Sequence, residues 1–69
     1  MKVWEMIMVK REKDVEVEVR DHESLVVLYD SSTGKPLSRE VIERDIHHID
    51  VWSEETFDGV NTGWLCIYV

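Results

Sequence analysis

Ser38-Arg39-Glu40-Val41-Ile42-Glu43-Arg44-Asp45-Ile46-His47-His48-Ile49-Asp50-Val51-Trp52 carries two periodicities, and the choice between them decides the fold. Read as a helix, Ser38 is the cap and Glu40 lies in the first turn, near the positive end of the dipole. Val41, Ile42, Ile46 and Ile49 then share one stripe. Read as a strand from Asp45 to Trp52, Ile46, His48, Asp50 and Trp52 share one face and His47, Ile49 and Val51 the other. The cap and the stripe favour a helix from Ser38 to His47 or His48, passing into extended chain over Ile49 to Trp52.

On the N-terminal side, Val15, Val17 and Val19 alternate with Glu16, Glu18 and Arg20. Period two with β-branched residues predicts a strand with its valines in the core and its charges in water. Val3 to Val9 reads as a strand apolar on both faces, with Trp4, Met6 and Met8 on one parity. The charged connector Lys10 to Asp14 makes an antiparallel hairpin of these two strands the natural expectation. Leu25 to Tyr29 is almost wholly apolar and suits a central strand. It ends where Gly34 and Pro36 interrupt the ladder.

On the C-terminal side, Ser53 to Gly63 is a polar loop with the turn signals Asp58-Gly59 and Asn61-Thr62-Gly63. Trp64 to Val69 is continuously apolar and predicts a strand held inside the sheet. The sum is one α+β domain: a small antiparallel sheet of four or five strands with one helix packed on it, in the order β-β-β-α-(β)-β. If residues 40–52 are extended, the alternative is an all-β small barrel.

Composition narrows the function classes. A chain of 69 residues holds one modest core, and 43% hydrophobic content with three Trp excludes a disordered chain. Fifteen acids against eight bases give a net charge of −7. That field opposes direct binding of nucleic acid or an anionic membrane surface and favours a basic partner. No apolar run is long enough to span a membrane and no leader-like segment is visible, so cytoplasmic residence is the expectation. The single cysteine, Cys66, lies in an apolar run and reads as a packed strand residue.

No spacing selects a catalytic trio or a phosphate cradle. Ser31-Ser32-Thr33-Gly34-Lys35 lacks the spacing of a phosphate-binding loop and reads as a turn. His47, His48 and Asp50 are weak metal candidates, because adjacent histidines point in different directions. A solvent-facing histidine pair at a helix end is the plainer account. Neither enzyme activity nor a cofactor is expected. A nucleic-acid-binding module, with Lys10, Arg11 and Lys13 as its basic patch, is the opposing class.

The segment from Asp45 to Val69 holds five acidic residues and no Lys or Arg. Within it Asp50, Trp52, Glu54, Glu55, Phe57 and Asp58 alternate aromatic anchors with carboxylates, a sensible interface composition. Asp14, Glu16 and Glu18 form a second acidic face. These features predict a small acidic regulatory or protein-interaction protein, an inhibitor or accessory subunit of a basic protein. Self-association through a strand edge is a further version that would relieve the smallness of the core.

Overall fold

The computed structural model describes residues 1–9, 15–55 and 57–69. Elements follow in the order α1 (Val3–Val9), β1 (Val15–Arg20), β2 (Val27–Asp30), a single 3-10 turn (Ser31–Thr33), α2 (Arg39–Ile42), β3 (His48–Glu55) and β4 (Asn61–Tyr68). The fold is α+β: a four-stranded mixed sheet of order β2-β1-β4-β3 with two short helices. Among the described residues, no helix is long and apolar enough to cross a membrane.

The alternating valines behave as expected. Val17 and Val19 are buried and join Val3, Val41, Ile67 and Val69 in the core, while Val15 at the strand's start is half-buried. Both helices therefore lie against the face built from odd-numbered residues of β1 and β4. The pairing of β1 departs from expectation. It runs parallel to β4, with Val19 beside Ile67, and antiparallel to β2, so the sheet is mixed rather than antiparallel. No hairpin joins Val3–Val9 to β1, because Val3–Val9 is a helix. Val3, Met6 and Ile7 fall at helical spacing and pack on the core. Glu5 reaches back three residues so that its Oε1 accepts from the Lys2 N–H at 2.9 Å, half of a capping box. The segment before the helix is pinned by Val3 N–H to the Arg44 carbonyl (3.0 Å) and Ile46 N–H to the Met1 carbonyl (2.8 Å).

The predicted Leu25–Tyr29 strand is shorter, later and peripheral: β2 is an edge strand. A turn occupies its expected start. The Oδ1 of Asp21 accepts from the N–H groups of Glu23 and Ser24 at 2.9 and 3.0 Å, and Leu25 takes a left-handed φ of 61°. These bonds, Ser24's first, hold the Asp21 carboxyl below its ordinary range, with Arg44 adding to them.

Ser38 does cap α2, its hydroxyl oxygen accepting from the Val41 N–H, but the helix stops at Ile42. The predicted continuation to His47 or His48 is overturned by two competing demands. Asp45 bridges to Lys2, and the His47 N–H is taken by the Tyr68 carbonyl at 2.7 Å. From His48 the chain is strand and extends past Trp52 to Glu55, consuming the start of the expected loop. The strand reading of the second half of the stretch thus wins, yet no barrel closes. The expected final strand is present, central and longer, beginning at Asn61.

Candidate functional site

Cα pairing places the even-numbered side chains of three strands in rows on the face opposite the helices. Arg20, Tyr68 and His48 form one row, Glu18, Cys66 and Asp50 the next, and Glu16, Trp64 and Trp52 the third. Thr62 and Glu54 continue it. This face carries acids, aromatic rings and a single guanidinium.

Its centre is closed. Glu18 is 8% exposed and pairs with the Nε of Arg20, while the thiol of Cys66, 3% exposed, lies 3.8 Å from its Oε1. Glu16 is half-buried and accepts from the Ser31 hydroxyl, whose oxygen in turn accepts from the Val17 N–H at 2.8 Å. The expectation that Glu16 and Glu18 of the second acidic face stand in water is therefore corrected. β1 is an interior strand flanked by β2 and β4, so its outward carboxylates are enclosed and engaged in holding the sheet. Asp14, the third member of that set, lies outside the described residues, as do Lys10, Arg11 and Lys13.

Burial pushes the Cys66 thiol above its ordinary range and the Glu18 carboxylate adds to this, against a hydrogen bond with Tyr68 that lowers it. The hydrogen bond with Cys66 is in turn the largest influence raising the Tyr68 hydroxyl. A raised thiol means that folding favours the neutral form. Its contribution is whole below the ordinary thiol value of 9.0 and is lost as pH rises beyond it. We expect native Cys66 to react with a disulfide reagent about 100-fold more slowly than in the urea-unfolded chain. Equal rates would mean that the thiol is not held under its neighbours.

The rim of the face is open. All eight residues of β3 are exposed, and on it Trp52 stacks against Trp64 with ring centroids 5.6 Å apart at 13°. Asp50 and Glu54 flank Trp52 on the same face, while Glu55 points to the other. Phe57 projects wholly into solvent from the hairpin connecting β3 to β4, followed by the exposed Asp58. The structure thus brings Asp50, Trp52 and Glu54 together, and puts Glu55, Phe57 and Asp58 at the end of the same hairpin. Missed by sequence reasoning was Trp64, whose ring completes the Trp52 platform. Its position in an apolar run marks it as core, and only the pairing with β3 shows which side it takes.

His47 and His48 are not at a helix end. They straddle the start of β3, with Nδ1 atoms 2.7 Å apart, so the expectation that they diverge is also corrected. One ring donates and the other accepts in that contact. His22 stacks on His47 at 4.1 Å, and His48 stacks on Tyr68 at 4.3 Å. The Nδ1 of His22 lies 2.8 Å from the Val69 carbonyl and donates to it. Among the described residues, no group of three or more His, Cys, Asp or Glu side chains is placed to hold a metal ion. The histidines are held by one another, by ring stacking and by backbone.

No protein-family model matches the chain, and no curated protein or solved structure is significantly similar to it.

Proposed function

We propose that the protein is a non-enzymatic interaction module that docks a basic protein on the β3–β4 hairpin, acting as its regulator or accessory subunit. The observation that carries this reading is β3 itself. It is exposed at every position, bears Asp50, Trp52, Glu54 and Glu55, and leads to the solvent-borne ring of Phe57. A stacked indole pair offers flat apolar area that loses little entropy on docking, and the carboxylates around it steer a cationic partner and penalise an acidic one. The segment 45–69 supplies no Lys or Arg to compete for them. The closed centre of the face, with Glu18, Arg20 and Cys66 mutually engaged, supports a docking platform rather than a reaction centre.

Capture from native lysate at low and high salt tests the reading. A basic protein should be retained at low salt and released by Glu54→Lys with Glu55→Lys. Phe57→Ala should weaken its retention about tenfold, the scale of one aromatic anchor. Retention of every partner by all three changes would overturn the reading, as would tight binding of single-stranded nucleic acid by the isolated protein.

A further inference from the structure

The geometry points to a second copy of this chain as the neighbour of β3, paired antiparallel to it across a two-fold axis at Val51. This concerns the edge of the strand, whereas the docking proposal concerns its face; neither rests on the other.

The two edges of the sheet differ. β2 has four residues, its pairing with β1 shifts register between Val19 and Arg20, and a 3-10 turn follows it directly. Those are three of the devices that blunt an edge; charge is another, and β3 carries it at Asp50, Glu54 and Glu55. β3 has none of the first three. It runs in unbroken register with β4 from His48 to Glu55 and contains no Pro, Gly or Lys. Among the described residues, no strand pairs with its outer side.

Charge selects the occupant and the register. A two-fold axis perpendicular to the sheet keeps each face continuous, so only residues of the same parity can stand opposite one another. An axis at Asp50 would press two carboxylates together, and one at Trp52 would set Asp50 against Glu54 twice. With the axis at Val51, His48 faces Glu54 of the second copy, Asp50 faces Trp52, and Ile49 faces Ser53. Just beyond, His47 meets Glu55. Axes nearer either end of β3 shorten the overlap. The strand begins with His48, directly after His47, and ends with two carboxylates, a pattern complementary to itself when reversed. Val51, 75% exposed in the single chain, gains a partner at the centre.

Edge pairing covers less area than a standard interface, so a dissociation constant on the order of 10–100 µM is expected. Sedimentation equilibrium on the full chain tests it. Val51→Asp and Val51→Lys change the net charge in opposite directions, yet each sets like charges against each other on the axis. Each alone should weaken association about tenfold or more, with far-UV circular dichroism confirming the fold, and mixing the two should restore it. Independently of how those variants fold, His48→Lys should tighten association about fivefold more than Glu43→Gln, which makes the same charge change on α2's C-terminal side. A wild-type chain that stays monomeric to about 1 mM would overturn the proposal. So would a mixture no tighter than its components, or a His48→Lys effect no larger than that of Glu43→Gln.

Discussion

Ile67→Ala is expected to leave much of the chain unfolded at room temperature. Ile67 is completely buried near the C-terminal end of β4, a central strand, with Val19 beside it on β1 and Ile49 on β3. It packs into a cluster whose other buried members are Val3, Val17, Val19, Val41 and Val69. All of those are valines, so Ile67 is the largest side chain in the buried set, and the larger residues packed around it, among them Met6, Leu37 and Leu65, are only partly buried. Truncation removes the transfer energy of three carbons and leaves a cavity, together about 3–4 kcal/mol. A domain of this length is stable by about 3–10 kcal/mol in total. Urea titration followed by circular dichroism should show the midpoint collapse for Ile67→Ala, whereas Ile67→Val should cost only about 1 kcal/mol. A loss below that for the alanine variant would mean that β4 is not the centre of the core.

How much of this architecture is legible in the sequence depends on whether local pattern or distant pairing decides each element. The β1 strand is legible because a strict period of two admits one conformation. The buried final strand is legible because a run as apolar as Trp64 to Val69 has nowhere else to go. The Ser38 cap is legible too, since it needs only the next three residues. The length of α2 is not, because what ends it is non-local: Asp45 is claimed by Lys2 and the His47 N–H by Tyr68. The parallel pairing of β1 with β4 likewise leaves no mark on either strand alone.

The same distinction separates the legible part of the candidate site from the rest. Asp50, Trp52 and Glu54 share a face because β3 is a strand, as the alternation in Asp45–Trp52 allows. The fate of Glu16 and Glu18 depends instead on which strands flank β1. At an edge they would be solvated, but between β2 and β4 they are drawn into contacts with Ser31, Arg20 and Cys66. The histidines are a third case. Adjacent residues diverge on a regular helix or strand, but His47 stands just outside β3 in irregular backbone, where that rule does not hold.

Val3→Asp is the second change with a large expected effect, and it bears on the element that the alternation misassigns. As a strand, Val3–Val9 would put Met6 and Met8 on one face as equivalents, with Val3 on the other. As a helix it separates them: Val3 is fully buried, Met6 packs on the core, and Met8 is 75% exposed. A seven-residue helix has little stability of its own, so it persists through this docking. An aspartate at position 3 would lie in the first turn, where the dipole favours it by about 0.5 kcal/mol. Burying its carboxylate without a cation costs about 4 kcal/mol or more, so burial decides the outcome and the fold should fail. Met6→Lys should be clearly destabilising, by roughly 2 kcal/mol, while Met8→Lys should stay within about 0.5 kcal/mol of wild type, its charge lying favourably at the helix's C-terminal end. Equal costs for the two lysine variants would restore the strand. Unequal costs with an intolerant Val3 place the N-terminal segment as a helix under the sheet, opposite the face that carries Trp52 and Trp64. That arrangement leaves β3 uncovered along its whole length.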